Sequence, residues 1–279
     1  MRLLTPFVLL AAAAAFAQVP EGRFERTLRV SGPVRLDLIT DSGGISVARG
    51  EPGTVQIRGI LNGRGGADPG EVERRIRALE QNPPIEQTGN TIRVGHVESK
   101  KLLKGVSMRL EVLAPPDSSL VARADSGKIR VEGIEGPVDA EADSGGIVAA
   151  GIGSKVRAVT DSGGIEIRRV SGPVFARADS GGIEALEVAG AIDVETDSGG
   201  VRVSQTTPAP VRVEVDSGSA EVRLAPNAGY TLLARSDNGR IDTELTVRRT
   251  TSRNRVEGTI RGGGPRVDIE VDSGNVRIE

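Results

Sequence analysis

Nine aspartates head one recurring tripeptide, and their type and spacing are the first in this chain that could do chemistry. Asp-Ser-Gly begins at Asp41, Asp125, Asp143, Asp161, Asp179, Asp197, Asp216 and Asp272, and Asp-Asn-Gly at Asp237. From Asp125 to Asp197 the interval is 18 residues every time. If repeats stack as paired strands about 4.8 Å apart, neighbouring carboxylates repel by roughly 0.9 kcal/mol per pair in water. Hydrogen bonds to the backbone or a bound cation would offset this. Asp143, Asp161, Asp179 and Asp197 are therefore the candidate calcium ligands, since Ca²⁺ takes several oxygens. The known calcium solenoid repeat, however, places Asp after its glycines with a period of about nine, whereas here Asp precedes them at 18. The residue types favour corner formation instead. Asp125, Asp143, Asp161, Asp179 and Asp197 would each accept a backbone N–H two residues on, closing an Asx-turn. Gly127, Gly145, Gly163, Gly181 and Gly199 would each supply a positive φ. The third position is Gly in all nine copies while the fourth varies, which points to one obligatory glycine per corner. No cofactor is expected.

Other chemistry is sparse. There is no cysteine, which removes disulfides, thiolate catalysis and cysteine metal sites. His96 is the only histidine and reads as solvent-facing or structural. Glycoside hydrolysis needs two carboxylates at a set separation, and repeated aspartates could supply such pairs by accident. No nucleophile elbow, phosphate loop or metal cluster is present. Gly63-Arg64-Gly65-Gly66 and Arg261-Gly262-Gly263-Gly264 read as loops.

The elements that would hold the tripeptides are strands. Five, three and one residues before Asp143 stand Val138, Ala140 and Ala142, and four and six after it stand Ile147 and Ala149. The same apolar positions recur around Asp125, Asp161, Asp179, Asp197 and Asp216, with mostly polar residues between them. Period-two alternation on both sides of a turn is the pattern of two half-buried strands per repeat. A unit that cannot bury its own apolar face must stack on its neighbours. The expected fold is all-β: a single-chain parallel β-solenoid of about 18 residues per coil, with a thin, filled interior and one short N-terminal helical insertion. Glycine number (37) and aromatic scarcity suit such a stack.

Parallel stacking also predicts which outward charges meet. Asp139 should face Arg157, Asp193 face Arg212, Arg123 face Glu141, and Arg177 face Glu195, each worth roughly 0.2–1 kcal/mol. Phe175 and Val159 fall in outward columns one coil apart and form the candidate interaction patch.

Along the chain, residues 1–17 read as a cleavable leader: Arg2, an apolar run, then Ala15-Phe16-Ala17. The run is short for a membrane span. Residues 18–279 form the solenoid domain, with an irregular part at 18–118, regular coils over 119–245, and a hairpin and last coil over 246–279. Within the first part, Asp68-Pro69-Gly70-Glu71 is a helix start, and Val72, Ile76 and Leu79 line one face of a helix near 69–81. Loss of Arg2 with the leader leaves 35 basic and 38 acidic residues, a balance that gives no reason to bind nucleic acid.

The Asp-Ser-Gly-Gly-Ile units, Val112-Leu113-Ala114-Pro115-Pro116 and the coils after them resemble a bacterial family of exported β-strand-repeat proteins of unknown function that carries an adhesin label. The resemblance covers most of residues 30–279. It implies a single-chain parallel β-helix with right-handed coiling and offers no catalytic residues. Together these readings describe an exported, non-catalytic solenoid in the periplasm or outside the cell, presenting a rigid surface to an envelope protein or surface polysaccharide. A carbohydrate-active β-helix enzyme and a periplasmic accessory to an envelope regulator are the competing classes. Oligomeric state is not legible.

Overall fold

The alternation on either side of each tripeptide folds into two strands that share a coil. Around Asp143 these are Val138–Ser144 and Ile147–Ile152, and around Asp161 they are Val156–Ser162 and Ile165–Val170. Equivalent strands pair parallel and in register: Val138 with Val156, Ala140 with Ala158, Ile147 with Ile165. The computed structural model describes residues 20–66, 68–96, 102–248 and 252–279; the leader expected at 1–17 lies outside them. Among the described residues, the strands before each corner build a 13-stranded sheet and the strands after it a 12-stranded sheet. The inward columns of Val, Ile, Leu and Ala are almost fully buried. This is the expected parallel solenoid.

The corner differs from the expected Asx-turn. The glycine amide that Asp would accept is engaged by the adjacent coil: Gly127 N–H donates to Ser144 O, Gly145 to Ser162, Gly163 to Ser180 and Gly181 to Ser198, at 2.8–3.1 Å. The hydrogen-bond ladder thus runs through the corner, and the aspartate side chains stay exposed. Two constraints demand glycine here. Gly145, Gly163 and Gly181 have φ of 157°, 153° and 147°. A Cβ on Gly163 would also overlap the carbonyl of Gly145, and one on Gly181 the carbonyl of Gly163. In some coils that inward carbonyl takes a buried hydroxyl: Thr160 Oγ1 donates to Gly145 O at 3.0 Å and Thr196 Oγ1 to Gly181 O at 3.1 Å.

The coil of Asp41 stacks directly on that of Asp125, with Leu36 opposite Leu120 and Ile45 opposite Ile129. The chain before and between them forms a flank. Thr91–Val94 adds to one sheet; Val106–Ala114, Thr54–Gly63 and Glu21–Arg29 add to the other, the last two antiparallel. The helix Pro69–Gln81 packs there through Val72, Ile76 and Leu79, and Asp68 caps it by accepting from Glu71 N–H at 3.1 Å. Glu80 accepts from Arg23 N–H and Gln87 donates to Arg29 O, which blunts the edge strand.

At the opposite end, chain order and stacking order differ. Arg266–Ser273, the strand of Asp272, lies between Val211–Ser217 and Tyr230–Asn238. Val276–Ile278 likewise separates Ala220–Arg223 from Ile241–Thr243. Arg255–Ile260 then pairs antiparallel on the far side of Tyr230–Asn238, with Val247–Arg248 beyond it.

The two glycines of one corner should respond differently to a methyl group. Gly163→Ala places a Cβ against backbone at a positive φ and is expected to lower stability by more than about 2 kcal/mol in urea unfolding. Gly164→Ala meets only Gly182 O at 3.5 Å, without positive φ, and should stay within about 0.5 kcal/mol of the parent. Equal losses would contradict the corner geometry.

Candidate functional surface

In-register stacking lays the outward side chains of both sheets in straight columns, so each functional candidate has defined neighbours. On the sheet of pre-corner strands all four expected ion pairs are present: Arg157 with Asp139 at 3.1 Å, Arg123 with Glu141 at 3.1 Å, Arg177 with Glu195 at 3.1 Å and Arg212 with Asp193 at 3.4 Å. Arg157 also reaches Glu141 at 3.0 Å. That hydrogen bond, seconded by the one from Arg123, holds the Glu141 carboxyl below the usual carboxylate range.

Phe175 lies opposite Arg157 in the ladder and is half-buried. The Arg157 guanidinium sits 5.8 Å from the ring centroid, a cation–π contact. Val159 is also half-buried and stands opposite Arg177 on one side and Glu141 on the other. Phe175 lines a shallow groove of about 540 Å³ with Val121, Arg157, Pro137, Pro173 and Lys155; Val159 is outside it. The structure therefore assigns the two members of the expected patch different surroundings, one in an apolar groove and one among charges.

The other sheet carries a feature that column reading could have found but did not. Glu166, Arg168, Glu184, Arg202 and Glu221 form an unbroken chain of ion pairs at 2.7, 2.8, 3.1 and 3.0 Å. It continues through Arg223 to Glu279, which Arg277 also holds at 2.7 Å. The hydrogen bond from Arg168 keeps Glu166 below the usual range, and that from Arg223 does the same for Glu279. Beside this chain, Gly146, Gly164, Gly182 and Gly200 floor an open trough of about 910 Å³. The sequence signal lay five and seven residues after Asp125, Asp161, Asp216 and Asp272, where the two positions carry opposite charges, with Glu184 and Arg202 at the fifth position of the coils between Asp161 and Asp216.

The aspartate ladder is a row, with each copy one coil from the next. Asp125, Asp143, Asp161, Asp179 and Asp197 are exposed, and Asp179 lies 3.6 Å from Arg177. Each coil offers a single carboxylate at this edge, whereas Ca²⁺ needs six to eight oxygens; no group of three or more His, Asp or Glu suited to a metal occurs among the described residues. His96 is half-buried between two charged side chains. Its Nδ1 accepts from Arg93 at 2.8 Å, since Arg has only donors, and its Nε2 lies 3.2 Å from Asp37. Arg93 lies 3.7 Å from Asp37, and this ion pair joins Thr91–Val94 to its neighbour Arg35–Ser42 beyond the backbone ladder. No helix among the described residues is long and apolar enough to cross a membrane.

Thermal unfolding checks both charge readings. The melting temperature in millimolar Ca²⁺ should match that in EDTA within about 2 °C, because [L]/Kd stays small without a site; a large rise would make the Asp row a calcium site. Glu141, Glu166 and Glu279 have folded pKa values below their unfolded ones, so their contribution is present above the unfolded pKa and is lost as pH falls through the folded one. Stability should therefore decline below about pH 4.5, and Glu166→Gln should flatten part of that decline.

No curated protein matches the chain. Two solved structures align along it: a candidate cell adhesion protein from Clostridium sporogenes (11% identity, 92% of this chain, 98% of that one, TM-score 0.24) and a candidate adhesin from Bacteroides fragilis (11% identity, 92% of this chain, 97% of that one, TM-score 0.34). A family model matches residues 118–279, more than half of the sequence and the whole run of stacked coils from Asp125 onward. The chain belongs to the Toastrack DUF4097 family.

Proposed function

We propose that this protein is a non-catalytic solenoid that presents a rigid, charge-paired surface at the cell envelope, adhesin-like or as a scaffold, to an envelope protein or surface polysaccharide. The observation that carries the reading is the self-satisfied character of both faces. Outward carboxylates and guanidinium groups bond one another from coil to coil, and the surface extends as continuous ladders. A glycosidase acid must be protonated at working pH, with its pKa raised. Glu166, which lines the larger depression, is held the other way by Arg168. Export to the envelope rests on the leader reading of residues 1–17.

The groove around Phe175 is the contact point this reading favours, since an aromatic beside an arginine is the composition of interface hot spots. Phe175→Ser should leave the fold intact, because the ring points outward from the ladder and is only half-buried. Retention on envelope fractions in a pull-down is expected to fall more than about tenfold, the equivalent of 1.4 kcal/mol. Unchanged retention would remove the groove from the account.

A further inference from the structure

Arg255–Ile260 lies on one side of Tyr230–Asn238, and Arg266–Ser273 lies on the other. The chain leaves one flank of a strand and enters the opposite flank within residues 261–265. Arg261, Gly262 and Gly263 have φ of 46°, 90° and 93°, and Gly263 N–H donates to Ile260 O at 3.0 Å. Three successive residues thus occupy the left-handed region, one of them an arginine, for which that region is disfavoured.

The segment after this reversal is a whole coil. Val267, Ile269, Val271, Val276 and Ile278 are all buried. Its neighbours, Val211–Ser217 with Ala220–Arg223 and Tyr230–Asn238 with Ile241–Thr243, belong to chain that precedes it. Residues 224–229 connect those two neighbours directly, so earlier chain forms the slot and later chain fills it. The slot selects for register and alternation: Val211, Val213 and Val215 line one side and Leu232, Ala234 and Ser236 the other, and Gly218 N–H donates to Ser273 O. This coil meets these demands, whether it comes from its own chain or from a second copy.

We propose that residues 266–278 are an exchangeable coil with Arg261–Gly264 as its hinge, and that two copies of this chain associate by trading it. Extending the hinge releases Arg261 from the left-handed region and preserves each slot contact, now made between copies; short strained hinges favour such exchange. The proposal is independent of the function proposed above.

The absence of native cysteine supplies the test. Val213 and Ile269 are direct partners across the slot, so Val213→Cys with Ile269→Cys reports whose coil fills it. In the hinge variant Gly262→Val/Gly263→Val, β-branched side chains resist positive φ. Light scattering should show a doubled mass, and the disulfide should join two chains on non-reducing gels. If the hinge variant does not fold, the cysteine pair in the parent hinge decides. Refolding from urea at rising protein concentration should then raise the fraction of interchain disulfide. A folded hinge variant of monomeric mass, a dimer whose disulfide stays within each chain, or refolding that yields only intrachain disulfide at every concentration would overturn the proposal.

Discussion

Successive corners of this solenoid approach so closely that the third residue of each tripeptide has no room for a side chain. Gly145 abuts Gly127, Gly163 abuts Gly145, and Gly181 abuts Gly163, each against the neighbour's carbonyl. The same glycines donate their amides to the next coil, so the parallel ladder does not stop where one sheet gives way to the other. A ladder continuous through the corner locks the registers of both sheets together. Slippage by one residue would turn every inward Val and Ile outward.

Fixed register has an electrostatic consequence. Each outward column is a row of side chains at constant spacing, and favourable rows are those whose charges alternate from coil to coil or two residues along. Arg168 and Arg202 each bridge two glutamates in this way, and Arg157 bridges Asp139 and Glu141. Such exposed pairs contribute little singly. Their continuity extends the pairing along both sheets.

Much of this is legible in the sequence. The alternation around each Asp gave the strands, the strict 18-residue interval gave the parallel register, and register gave the four ion pairs on the pre-corner sheet. Asp68, Pro69 and the Val72, Ile76, Leu79 stripe gave the helix. The corner bonding was not legible, because an Asp before Ser-Gly fits an Asx-turn equally well until the neighbouring carbonyl is placed beside the amide. The intercalation of the Asp272 coil was hidden for a related reason. All coils share one pattern, so the sequence does not distinguish a coil that follows its predecessor from one inserted behind it. The local surroundings of Phe175 and Val159 depend on side-chain reach, which alternation does not carry: Arg157 extends over the ring of Phe175, and Glu141 and Arg177 flank Val159 in the ladder.

The solenoid's rigidity, its charge columns and the surface it presents all descend from the glycine contact, so that contact is the point to test. Amide hydrogen exchange resolved by NMR reads it directly. Gly145, Gly163 and Gly181 amides should exchange as slowly as those of the core positions Ile147 and Ile165, since all donate to the next coil. Exchange of these glycine amides at the rate of open loops, in a protein whose strands remain protected, would mean that the ladder breaks at the corner and that the coils are held in register by something else.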